Sequence, residues 1–180
     1  MEFKFCPTCG NKNTRKDIGD DANTPYCETC KRPWFPFSYT CVLVLVVDEK
    51  GNFAFIQQNY IREGLYIGVA GYPNHAEPYE ETVKREVYEE IGLEANHVQY
   101  VHSYYYEKRD LMMLGFVAKV NHGEFKLSKE VDAAKWFAPE EAEAALPQGS
   151  IVHSLYKDYV CGRNTPKVSM KDMKDTHTCT

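Results

Sequence analysis

The sequence predicts a mixed fold of strands and helices (α/β, in α+β style): a sandwich around a mixed sheet, preceded by a small segment without a core. Three observations predict it. Strand-like runs and three helix-like stretches are interspersed along most of the chain. The first 34 residues hold four of the seven cysteines, and Gly10 to Thr24 is polar and turn-rich with little apolar periodicity. Hydrophobic residues make up 43% of 180, which suits one medium domain with a small appendage.

The elements follow in order. Tyr39 to Val47 is a near-continuous β-branched run, as expected of a buried strand. The turn Asp48-Glu49-Lys50-Gly51-Asn52 leads into a second strand, Phe53 to Gln58, so the pair reads as a hairpin. A further strand is expected near Tyr66 to Tyr72, then a loop to Glu77. Pro78 suits the first turn of a helix running to about Ile91, and Gly92 its C-terminal stop. Val98 to Tyr106 and Leu111 to Val120 are strand-like, joined by the charged turn Glu107 to Asp110. Lys135 to Phe137 reads as a short strand, Pro139 to Leu146 as a short helix, and Ile151 to Val160 as another with Ser150 as N-cap. The expected organisation is 1–36 as a zinc ribbon, 37–162 as the main domain and 163–180 as a polar tail.

Composition narrows the function. A net charge of -5 argues against a protein whose main task is gripping nucleic-acid backbone. An anionic small molecule stays open, because a bound cation reverses the local sign of a site. The longest apolar run, Thr40 to Val47, is too short to span a bilayer. The first residues show no basic segment followed by an apolar stretch, so cytoplasm is the expected compartment. An odd cysteine count without an export signal favours metal ligands plus ordinary thiols, including Cys41, Cys161 and Cys179.

Cys6-Pro7-Thr8-Cys9 and Cys27-Glu28-Thr29-Cys30 are separated by seventeen residues. Two such hooks can close four thiolates around one tetrahedral Zn²⁺, and a segment of about thirty residues without a core needs a metal or disulfides to fold. Four protein ligands leave no open position, so the expected role is structural.

Glu86, Glu89 and Glu90 stand at i, i+3 and i+4, on one arc of the predicted helix and beside the apolar stripe Val83, Val87 and Ile91. Clustered carboxylates repel one another unless a cation sits among them, and oxygen ligands of this kind suit Mg²⁺ or Mn²⁺. A Glu-rich helix is more often a solvated face. The wider context decides. From Gly71 to Leu93, the residues Gly71, Glu77, Arg85, Glu86, Val87, Glu89, Glu90, Gly92 and Leu93 stand at the spacing of the Nudix box, and the sequence resembles that family.

The resemblance implies an α/β/α sandwich that cleaves a nucleoside diphosphate linked to another moiety, by a metal-activated water. It makes Glu86 and Glu90 metal ligands, with Glu89 a ligand or water-positioning group and the backbone carbonyl of Ala70 a further ligand. Arg85 would orient the glutamates, and Gly71, Glu77 and Gly92 would support the loop and helix. The order of parts, a four-cysteine ribbon and then Phe35-Pro36, is similar to the zinc-containing NADH pyrophosphatase branch. In that branch the aromatic at Phe35 contacts substrate and the glutamate six residues before Trp136, Glu130, is a ligand or base. An exposed turn glutamate is the alternative for Glu130. A homodimer is expected on the same ground.

One segment departs. Where that branch carries a Ser-Gln-Pro-Trp-Pro-Phe-Pro segment associated with NAD(H), this chain has Ser103-Tyr104-Tyr105-Tyr106-Glu107-Lys108-Arg109, and Val152 replaces a small alanine near the substrate. Tyr104 and Tyr106 either stack on a base or pack within their strand. Three readings therefore stand: a nucleoside diphosphate hydrolase, an NADH/NAD pyrophosphatase or NAD-cap remover, and a non-catalytic Nudix-fold sensor or partner-binding module. Isoprenoid diphosphate isomerisation would need a catalytic cysteine that has no place here.

Overall fold

A computed structural model describes residues 3–59 and 63–164, with the side chains of 163 and 164 left aside. The expected tail and Cys179 lie almost wholly or wholly outside the described residues. The chain divides into two compact units, one drawn from residues 1–39 with 108–110 and the other from 40–107 with 111–180.

The first unit holds a three-stranded antiparallel sheet of β1 (Thr14–Ile18), β2 (Asp21–Cys27) and β3 (Arg32–Pro33). These strands correct the expectation of a merely turn-rich stretch. β1 is exposed over most of its length, so no apolar alternation marked it in the sequence. Cation–ring contacts and the Lys16–Glu28 ion pair, at 2.9 Å, accompany the sheet. The Lys16 ammonium lies 4.0 Å from the Tyr26 ring centroid and the Arg32 guanidinium 4.4 Å from that of Trp34. Phe3 adds ring contacts to Trp34 and Phe37 at 5.4 and 5.5 Å.

The second unit is built on a six-stranded sheet. It comprises β4 (Tyr39–Val47), β5 (Phe53–Gln57), β6 (Val69–Gly71), β7 (Ala95–Tyr106), β8 (Leu111–Val120) and β9 (Ala133–Phe137). The order is β7-β8-β4-β5-β9, and β6 pairs with β4 so that Ala70 stands opposite Leu43. Among the described residues three α-helices accompany it: α1 (Tyr79–Ile91), α2 (Pro139–Ala145) and α3 (Ile151–Asn164). β6 is shorter than the strand expected over Tyr66 to Tyr72, because Ile67 makes only an isolated bridge to Ile56. β7 starts three residues earlier than expected and α3 runs past Val160. Among the described residues no helix is long and apolar enough to cross a membrane.

Alternation along β4 makes the sandwich. Val42, Val44 and Val46 join a core that includes Val83, Val87 and Ile91 of α1. Leu43, Leu45 and Val47 join a second core with Leu146, Val152, Leu155, Tyr156 and Tyr159 beyond the other face. Successive strand side chains point to opposite faces, so one buried strand serves both layers. Burying each of these aliphatic side chains contributes roughly 1.5–3 kcal/mol.

Both ends of α1 match their signals. Pro78 is the N-cap in extended conformation, and Gly92 (φ 72°) closes the helix by donating its N–H to the Tyr88 carbonyl. A Cβ at Gly92 would also lie 2.6 Å from that of Lys126. Ser150 caps α3 by accepting the His153 N–H at 3.2 Å. Cys41 is a buried thiol that burial pushes up to about 11. Cys161 departs from the expectation of an ordinary thiol, being disulfide-bonded.

Candidate metal centre on α1 and the four-cysteine cluster

The acidic helix is organised around Arg85. Its Nε and Nη2 donate to the two oxygens of Glu77 at 2.8 and 2.9 Å, a bidentate fork. Nη1 donates to Glu86 Oε1 at 2.7 Å and to Glu89 Oε2 at 3.0 Å, and Nη2 also reaches the Tyr72 carbonyl at 2.9 Å. One guanidinium thus joins the loop before the helix, the helix itself and the strand end. Arg85, together with the Asn74 N–H, pulls the Glu77 carboxyl down to about 2. Thr82 donates to the same carboxylate at 3.0 Å, a partner that sequence spacing did not single out.

Gly71 has a steric role. A Cβ built there would fall 2.0 Å from the Glu86 carboxyl carbon, so only a bare backbone lets that side chain lie against β6. Ala70, whose carbonyl the sequence proposes as a ligand, is the neighbouring residue of the same strand. Burial raises the Glu86 pKa despite the Arg85 contact.

Glu90 is 5% exposed. Burial, reinforced by the Glu86 charge, pushes its carboxyl up to about 8, and Glu130 and Glu89 push in the same direction. Gln58 donates to Oε1 at 3.1 Å, whereas Oε2 is buried without a hydrogen-bond partner among the described residues. An orphaned buried carboxylate oxygen is costly and calls for a missing donor or cation. Glu89 and Glu130 are exposed. These oxygen donors are the hard ligands that Mg²⁺ or Mn²⁺ takes, so the residues fit such an ion.

The cysteines converge more tightly. The sulfurs of Cys6, Cys9, Cys27 and Cys30 all lie within 4.8 Å of one another, with Cys9 to Cys27 at 3.5 Å and Cys6 to Cys30 at 3.9 Å. A tetrahedron with metal–sulfur bonds of about 2.3 Å has sulfur–sulfur edges of roughly 3.8 Å. The cluster fits zinc. Among the described residues no other group of three or more His, Cys, Asp or Glu is drawn together in this way.

The expected substrate contacts are divided between the chain's two units. Phe35 is exposed and, with Trp34 and Phe3, lines a cleft of about 280 Å³ in the first unit. Tyr104 packs with the α3-side core, its ring edge-to-face with His102 and its hydroxyl donating to Asp158 at 2.5 Å. Val152 is buried in the same core, and Tyr106 is half-buried.

Residues 39–157 match the NUDIX domain, and the chain belongs to that family. It is 30% identical over 154 residues to the NAD-capped RNA hydrolase NudC of Vibrio vulnificus, covering 85% of this chain and 58% of that protein. Against the NAD-capped RNA hydrolase NUDT12 of Homo sapiens it is 28% identical over 176 residues, covering 88% and 38%. The chain therefore spans well under two thirds of the length of these relatives. In fold it is similar to a NUDIX hydrolase from Nitrosomonas europaea, at a TM-score of 0.64 and 20% identity over 89% of this chain and 92% of that one. It is similar also to the NUDIX domain of Shewanella oneidensis NrtR, solved with ADP ribose, at a TM-score of 0.61 and 14% identity over 78% and 94%.

Proposed function

We propose that the chain hydrolyses the diphosphate bond of a nucleoside diphosphate linked to a second moiety, at a divalent cation held on α1. The observation that carries this is the buried Oε2 of Glu90, without a partner among the described residues, on the same helix arc as Glu86 and Glu89. Glu86 and Glu90 are the ligands, joined by the Ala70 carbonyl, with Glu89 and Glu130 as further ligands or proton acceptors. When bound there, Mg²⁺ or Mn²⁺ supplies charge neutralisation at the phosphates and a usable nucleophile near neutral pH. Arg85 stays charged, because Glu77 and the two helix glutamates hold its pKa above the usual range. Its role is to hold Glu86 and Glu89 in place, not to move a proton. An exposed carboxylate, Glu130 or Glu89, takes the proton as water oxygen bonds to phosphorus and the anhydride oxygen leaves. The four cysteines hold one structural Zn²⁺.

A second reading, removal of an NAD cap from RNA or cleavage of NAD(H), is favoured by the names of the relatives at about this identity. The Tyr104 to Arg109 segment argues against NADH as preferred substrate, since it lacks the prolines that fix a loop's shape. The test compares kcat/KM for ADP-ribose, NADH, NAD, FAD, dinucleoside polyphosphates and NAD-capped RNA under one metal condition. Turnover of an ADP-ribose-like compound ahead of NADH is expected. An NADH lead of tenfold, about 1.4 kcal/mol, would hand the assignment to the second reading. Binding without turnover across the whole panel leaves only a non-catalytic sensor.

A further inference from the structure

We propose that Gln58 is the positioning residue for Glu90, setting which of its two carboxylate oxygens is presented to a divalent cation. This rests on the reading above that Glu90 is a cation ligand. Gln58 follows β5 and is 5% exposed. Its Nε2 donates to Glu90 Oε1 at 3.1 Å in a buried hydrogen bond, while Oε2 of the same carboxylate has no partner among the described residues. One oxygen is committed to an amide and the other is left bare. A hydrogen bond to one oxygen stops the carboxylate from turning about its last torsion, which is how outer partners orient metal ligands. The chemistry of the partner suits the task. A carboxamide donates without bringing a positive charge, so it does not compete with a cation for the bare oxygen as Lys or Arg would.

The amide is delivered from a braced segment. Asp132 accepts the Asn59 N–H at 2.6 Å and donates its own N–H to the Gln57 carbonyl at 2.9 Å, so one residue clamps the backbone on both sides of Gln58. The Ser128 N–H donates to the Glu90 carbonyl at 3.0 Å. The Glu130 N–H donates to the Ser128 hydroxyl at 3.2 Å. Residues 128–132 therefore hold Gln58, the backbone of Glu90 and the backbone of Glu130 in one hydrogen-bonded frame.

The experiment is a double-mutant cycle read by Mn²⁺ affinity of the full chain, followed by electron paramagnetic resonance without substrate. Met has similar length to Gln but no donor. Gln58→Met is expected to weaken Mn²⁺ binding about 10- to 100-fold with an unchanged circular dichroism spectrum, and to add no loss on top of Glu90→Gln. Wild-type affinity in Gln58→Met, or losses that multiply in the double variant, overturns the proposal. Should Gln58→Met not fold, Asp132→Ala tests the same frame. A loss of Mn²⁺ affinity that Asp132→Asn restores supports the proposal, and unchanged affinity in Asp132→Ala overturns it. Glu86→Gln separates the two levels of inference. Weakened Mn²⁺ binding in Glu86→Gln with normal binding in Gln58→Met sinks only the role of Gln58. Normal binding in Glu86→Gln sinks the metal site itself.

Discussion

In the N-terminal unit the most buried side chains include sulfurs, Cys6 at 2% and Cys27 at 0%, whereas in the sandwich they are Phe53, Phe55, Leu45 and their aliphatic neighbours. The first unit pairs short strands, β1 mostly exposed, and adds cation–ring contacts. The second closes two apolar layers on either face of one sheet. A segment this small cannot bury enough apolar surface to offset its conformational entropy, so the proposed zinc would act as a point cross-link in place of a core. The sandwich can do the opposite. Its surplus of apolar burial tolerates an expensive feature, a carboxylate held in a dry place at Glu90.

The comparison is broken most forcefully at the cysteines. Cys27→Ser should cost the first unit most of a zinc-binding free energy of about 10–16 kcal/mol. The expected result is loss of its dispersed amide signals while those of β4 to β9 persist, with zinc content falling from one per chain. Native protein with both hooks oxidised to disulfides would refute zinc.

Next in size is the acidic face. Glu90→Gln and Glu86→Gln should each lower turnover at least about 10³-fold, roughly 4 kcal/mol, in a steady-state assay at saturating Mg²⁺. Stability should move the other way. The Glu90 carboxyl, raised to about 8, favours the folded state while protonated. That contribution is complete below the ordinary carboxyl range, falls while the unfolded chain has released the proton that the folded chain still holds, and is gone once pH has risen through about 8. Without added divalent cation, urea midpoints should therefore fall between the ordinary carboxyl range and pH 8 in the wild type. In Glu90→Gln this fall should shrink.

A smaller effect sharpens the contrast from the apolar side. Leu155→Ala removes a fully buried side chain of the α3 layer and should cost about 2–5 kcal/mol in denaturant unfolding of the sandwich, with zinc content unchanged. The smallest change is Arg32→Ala. It removes a ring contact of a kind that contributes about 0.5–1 kcal/mol at an exposed site and should barely shift the melting of the first unit.

What the sequence made legible follows the same divide. α1 announced itself through Pro78 and Gly92, which act locally, and the β4–β5 hairpin through its apolar runs. β1 gave no such signal, since an exposed strand needs no alternation, and β2 buries Thr24, Pro25 and Cys27, which form no apolar run. At the acidic site the spacing on one helix placed Glu86, Glu89 and Glu90 together, and the structure gathers Glu77 and Arg85 with them. Gln58 stayed invisible because its partner lies 32 residues away, and its position at a strand end carries no pattern. Tyr104 was ambiguous for a related reason. Whether an aromatic in a strand packs or faces a ligand depends on Asp158, which belongs to another element.

Gly71 carries a consequence for how this site can change over generations. Every other amino acid brings a Cβ into the space that the Glu86 carboxyl occupies, 2.0 Å from its carbon. Position 71 therefore offers no graded path: a single base change that adds a methyl group forces Glu86 to another rotamer while leaving both apolar layers untouched. A descendant that had drifted away from this chemistry would be recognisable by one codon, long before its fold showed any sign of it.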